Sequence, residues 1–121
     1  MNGKGAKGGC YCGAVEYCIT GEPKNTTICY CEDCRRISAA PGVAWITINR
    51  KQFKITKGKP AELKSSPPVI RLFCPRCGTH LAYTHSHRDD EIDITTCSLK
   101  SPEHFAPREF TFKEGKLPWA P

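Results

Sequence analysis

The sequence predicts a single, mainly β domain stapled by clustered cysteines, and three observations carry that prediction. Apolar residues recur at every second position in short runs. Glycine and proline, ten of each, punctuate those runs. Seven of the nine cysteines fall in three tight groups. A chain of 121 residues with 39% hydrophobic content makes one domain with a modest core, because a chain of this size removes roughly two thirds of its unfolded surface from water. A core that thin benefits from cross-links, and the cysteines are candidates to supply them.

Residues 1–9, MNGKGAKGG, are polar and glycine-rich; they are expected to be flexible, with one domain over 10–121. Val15, Tyr17 and Ile19 alternate with Glu16, Cys18 and Thr20 up to Gly21, the pattern of a half-buried strand. Similar short runs predict strands at 45–48, 53–55, 69–73, 81–83, 92–94 and 110–112. A turn or two of helix is expected over 32–38, stopped by Pro41-Gly42. Seven or eight short strands imply small antiparallel sheets packed on one another. Cys18 and Trp45 read as packed side chains, and His85 and His87 as solvated residues of a polar hairpin tip.

No apolar h-region opens the chain, and no apolar run approaches the roughly 20 residues needed to span a bilayer. The expectation is therefore a cytoplasmic protein with no membrane partner, in a compartment where thiols stay reduced. Cysteines one or two residues apart bridge each other poorly but suit one tetrahedral metal. The formal charge of +6 counts those thiols as neutral. With seven thiolates and two zinc ions it falls to about +3, so the charge does not demand a polyanionic partner. Eight of the 18 Lys and Arg lie between Arg50 and Arg76, either as a solvated face or as an anion-binding surface.

Two of the cysteine groups, CYCG at Cys10 to Gly13 and CPRCG at Cys74 to Gly78, place glycine directly after the second cysteine. Zinc knuckles favour that residue, because the tight turn that aims N–H groups at the sulfurs requires a positive φ. Cys10, Cys12, Cys74 and Cys77 thus make a complete four-sulfur set for a structural zinc. The middle group, CYCEDC, offers only Cys29, Cys31 and Cys34, followed by Arg35-Arg36. Three protein ligands fit an open zinc site that takes water or substrate. A closed site is the alternative, with its fourth ligand drawn from Cys18, Cys97, His80, His85, His87 or His104. An unbroken strand through 92–97 would set Cys97 on the face of Asp93, as a packed side chain, a ligand or a reactive thiol.

With the three groups placed, the chain resembles the glutathione-dependent formaldehyde-activating enzymes, a family that also includes centromere protein V. The likeness runs through GGCYCGAVEY, CYCEDCRR, FKITKGKPAELKSSPPVIRLFCPRCGTHLAY, DDEIDITTCSL and KLPW. It implies a β-tent fold of small sheets around a structural zinc, with Cys10, Cys12, Cys74 and Cys77 as that ion's ligands and Cys29, Cys31 and Cys34 as the second set. It also implies carbon–sulfur lyase chemistry, the condensation of glutathione with formaldehyde to S-hydroxymethylglutathione. Cys29, Cys31 and Cys34 would then be the catalytic set, with Arg35 and Arg36 as cations for the glutathione carboxylates. Tyr30 stands where the family commonly has histidine, Cys97 where it has a small residue, and Ala39-Ala40 where it has Gly-Ala. The alternative function is a non-catalytic zinc module that binds protein or nucleic acid, or a thiol or metal sensor.

Overall fold

A computed structural model describes residues 5–121. In chain order its elements are β1 (Ala6–Gly9), β2 (Glu16–Ile19), β3 (Asn25–Cys29), α1 (Glu32–Ser38), β4 (Val43–Asn49), β5 (Phe53–Lys57), β6 (Ala61–Ser66), β7 (Val69–Phe73), β8 (His80–His85), β9 (Glu91–Thr95) and β10 (Glu109–Thr111). They form a three-stranded sheet, β1-β2-β5, and a seven-stranded sheet, β10-β3-β4-β9-β8-β7-β6. Among the described residues no helix is long and apolar enough to cross a membrane.

Strand alternation sorts the large sheet into two chemically different faces. On one face Ile46, Ile48, Ile92 and Ile94 are buried and meet Val15, Tyr17 and Ile19 of the small sheet, with Leu99 and Phe105 closing the same core. Tyr17 reaches through it to share a 2.6 Å hydrogen bond with Ser98 Oγ, so its phenol is satisfied where burial alone would be costly. On the other face, residues directly opposite one another form a polar row across five strands. Arg71 pairs with Tyr83, Tyr83 with Asp93, Asp93 with Thr47 and Thr47 with Asn25. The small sheet leaves this second face uncovered, which gives the molecule a cleft.

One expectation changes and two are refined. Residues 6–9 are not a flexible leader: Ala6–Gly9 pairs antiparallel with β2, Gly8 packing so closely on the Tyr17 ring that a Cβ would clash. The expected flexibility of 1–4 lies outside the described residues. The strands pair antiparallel as expected except at one edge, where β10 adds parallel to β3. The chain is steered there by the Arg108 N–H, which donates to Thr26 O at 3.0 Å. Finally, α1 spans 32–38 as expected, and its stop is Ala39 rather than Pro41-Gly42, a φ of 49° letting the Ala39 N–H return to Arg35 O.

A left-handed cap of this kind favours glycine, since a Cβ there carries a steric penalty. Ala39→Gly is expected to stabilise the fold by about 0.5–1 kcal/mol in urea titration. Ile94→Ala, which empties a fully buried position, should cost about 2–4 kcal/mol in the same measurement.

Candidate metal centres

Four sulfurs converge where the β1–β2 and β7–β8 hairpins meet. Those of Cys10, Cys12, Cys74 and Cys77 lie within 4.8 Å of one another. Bonds of about 2.3 Å at tetrahedral angles would put neighbouring sulfurs about 3.8 Å apart. The Cys10–Cys12 and Cys12–Cys74 separations are 3.7 and 3.8 Å. Backbone N–H groups already point at the sulfurs, Val15 to Cys10 at 3.2 Å and Arg76 and Cys77 to Cys74 at 3.3 and 3.4 Å. Gly13 and Gly78 turn the two loops at φ of 82° and 84°. A Cβ at either would meet nothing within 4 Å, so conformation rather than space calls for glycine. The loops are also tied directly, the Tyr11 N–H donating to Thr79 Oγ1 at 3.0 Å. The donor set fits a metal ion and fills its tetrahedron.

The second group is local. Cys29 ends β3, Cys31 is the N-cap of α1 with its sulfur accepting from the Cys34 N–H at 3.3 Å, and Cys34 is buried in the first turn. The three sulfurs again lie within 4.8 Å of one another. The Cys29 thiol is lowered to about 5, first by hydrogen bonding with Cys34, and the same bond pushes Cys34 up. One proton therefore leaves readily while a neighbour retains its own, a cluster prepared as thiolate. Among the described residues no fourth Cys, His, Asp or Glu joins it. A metal ion held there would keep an open position.

That open side faces the polar face of the large sheet. A cleft of about 670 Å³ runs from Cys29, Cys31 and Cys34 past Trp45 and Tyr83 to Arg71, with Asp33 and Lys24 also on its lining. Trp45 and Tyr83 meet edge to face at 6.0 Å between ring centroids. Arg88 grips Asp93 through two nitrogens at 3.0 and 3.1 Å and Glu91 at 2.9 Å. Lys24 holds the other Glu91 oxygen at 3.1 Å, and these cations keep the Glu91 carboxyl below its ordinary range. Trp45 is thus a packed side chain, as expected, and also a wall of the cleft.

The remaining sequence-derived residues fall elsewhere. Arg35 and Arg36 line a separate shallow depression with Pro41, Leu117 and Trp119, and Arg36 sits 3.7 Å from Glu32. Tyr30 is buried against Gly42 and stacks on Phe110, pointing out of the cleft between two inward cysteines. β9 stops at Thr95, so Cys97 leaves the strand in a short 3-10 turn and is exposed rather than packed. Cys18 is half-buried on β2, and His85 and His87 stand at the expected turn. Arg71, Tyr83, Asp93 and Arg88 escape sequence reasoning as cleft residues; the first three are aligned by the register of three strands and Arg88 by the turn before β9, which spacing alone does not reveal.

Cys74→Ser is expected to remove one ion and abolish the cooperative thermal transition, whereas Cys31→Ser removes one ion and leaves stability within about 1 kcal/mol. Ions per chain and calorimetry check both. His80, packed on Trp45 and Ser38, has its pKa lowered to about 4, by burial first and then by Arg71. Unfolded His80 binds a proton near 6.5 that the folded ring refuses, so this residue's contribution to stability is lost as pH falls from about 6.5 toward 4. His80→Gln should flatten that limb of the stability profile.

Comparisons with known proteins agree with this architecture. An uncharacterized lyase of Schizosaccharomyces pombe is 28% identical over 99 residues, covering 81% of this chain and 71% of the relative. A crystal structure of a Rhodobacter sphaeroides protein superposes with a TM-score of 0.70 at 21% identity, covering 87% of this chain and 99% of that one. The fold is therefore shared with a solved structure. Residues 5–114 match the pattern of the glutathione-dependent formaldehyde-activating enzymes. The chain belongs to the glutathione-dependent formaldehyde-activating enzyme family.

Proposed function

We propose that this protein is a zinc enzyme of the carbon–sulfur lyase type, acting on glutathione or a related thiol–aldehyde adduct. One observation carries the reading: the incomplete sulfur set, Cys29, Cys31 and Cys34, opens on the cleft, while the complete set lies at the hairpin junction. Family membership and a relative named as a lyase support the reaction class. Both sulfur sets suit zinc, the first as a structural ion and the second as a catalytic one. Zinc at the second site supplies a Lewis acid and favours a bound thiol in its thiolate form.

The chain's own residues then have defined tasks. Cys29, Cys31 and Cys34 fix the reacting end of the cleft, held by the end of β3 and the cap of α1. Trp45 and Tyr83 form an apolar wall along which the body of a thiol ligand can lie. The cleft volume of about 670 Å³ lies well within the size of small-molecule sites. In the adduct-forming direction the thiol sulfur bonds to the aldehyde carbon, and the thiol proton ends on the former carbonyl oxygen. No electrons are exchanged with an outside partner. The missing histidine at position 30 bears little on this, since Tyr30 faces away from the cleft.

The module reading has less support. Arg71, one of the eight basic residues of the 50–76 segment, is buried in the cleft, where a broad polyanion could not reach it. In cobalt-substituted protein, millimolar glutathione is expected to shift the thiolate-to-metal absorption bands, and Cys31→Ser should abolish that shift while the fold persists. An unchanged spectrum and no heat of binding would sink the proposal.

A further inference from the structure

The ion pairs of the cleft leave one cation over. Lys24 and Arg88 are satisfied by Glu91 and Asp93, and Thr47 adds a 2.6 Å hydrogen bond to Asp93. Arg71 has no carboxylate within 4 Å among the described residues. It is only 4% exposed. Its Nε donates to Ser65 Oγ at 3.1 Å and its guanidinium lies 4.9 Å over the Tyr83 ring, but Nη1 is buried with no partner at all. A guanidinium does not escape by deprotonating, and burying it without a counter-charge is strongly unfavourable.

We propose that Arg71 is the receptor for a carboxylate of the thiol ligand, and so a specificity-determining residue of the cleft. The inference rests on the thiol-binding reading above for the identity of that ligand. Geometry and chemistry agree. Arg71 projects from β7 onto the cleft face, its forked donors match a carboxylate, and its buried Nη1 lacks a hydrogen-bond partner. Tyr83 packs against the Cys29, Cys34 and Trp45 cluster on one side and carries Arg71 on the other, so a single ring separates sulfur chemistry from the cation. An extended tripeptide reaches about 10 Å, and both the sulfurs and Arg71 line the same cleft. The cleft therefore selects small thiols that carry a carboxylate remote from sulfur over bare thiols. Arg35 and Arg36, on another surface, are not needed for that task.

The test measures binding of three probes to metal-loaded wild-type protein, Arg71→Met and Arg71→Lys by calorimetry. Glutathione carries both thiol and carboxylates, S-methylglutathione only the carboxylates, and cysteamine only the thiol. Arg71→Met should weaken glutathione and S-methylglutathione by the same factor, about 10- to 100-fold, and leave cysteamine unchanged. Arg71→Lys should fall between. Two ions per chain should remain in every variant, and the melting temperature of Arg71→Met should hold or rise, since an unpaired buried charge is removed. Glutathione ethylated at its glycine carboxyl identifies the end that is gripped. Its affinity becomes insensitive to Arg71→Met if the glycine end is held, and stays sensitive if the γ-glutamyl end is; either supports the assignment.

Unchanged glutathione affinity in Arg71→Met overturns the proposal while leaving thiol binding intact. Loss of cysteamine binding or of metal in step with glutathione also overturns it, because Arg71 would then be balancing thiolate charge. A large drop in melting temperature in both variants overturns it in favour of a structural role. If S-methylglutathione binds as tightly as glutathione, depends on Arg71 and leaves the cobalt spectrum unmoved, the carboxylate receptor stands and the thiol reading falls.

Discussion

The meeting of four sulfurs at Cys10, Cys12, Cys74 and Cys77 is the constraint on which the remaining structure depends. The small sheet contributes one hairpin to it and the large sheet another, and no disulfide joins them among the described residues. The sulfurs are already set at near-tetrahedral spacing by backbone N–H groups and two left-handed glycines. A metal bound there would fix the angle between the sheets as well as their contact. The isoleucine core beneath is thin, so the junction and the core each supply what the other lacks.

With the small sheet clamped on one face, the other face of the large sheet stays open. A strand offers its two faces to different solvents, and here one set of alternating positions is aliphatic and the other carries Asn25, Thr47, Asp93, Tyr83 and Arg71. The cleft is thus a direct product of strand register. Its cysteine end is supplied locally, by a strand end and a helix cap that are two residues apart in sequence. Its charged end is supplied by strands that come together only in the folded sheet.

This division sets what the sequence could reveal. Sulfur spacing, turn glycines and aliphatic alternation are local signals, and they located both cysteine sets, α1 and every strand with one buried apolar face. β1, with the sequence AKGG, β6, nearly all exposed, and β3, where Thr26 and Thr27 are the buried residues, carry no such alternation. The cations of the cleft were assigned to Arg35 and Arg36 because they adjoin the cysteines in sequence; the helix turns them onto another surface. Arg71 looked like one member of a basic stretch. Its pairing with Tyr83, and through it with Asp93, is a tertiary fact. Cys97 was misplaced because Thr95 ends its strand two residues early.

The two sulfur sets also differ in how far apart their members lie along the chain. Cys29, Cys31 and Cys34 can converge once a single strand end and one helical turn are formed, so this set can assemble early and open again by local fraying. The hairpin set closes a loop of some 60 residues, and it exists only when both sheets are in place. Metal at the two positions should therefore exchange on separate clocks. The cleft site would equilibrate with the cellular metal pool within the native state, while the junction site would turn over only as fast as the whole domain unfolds.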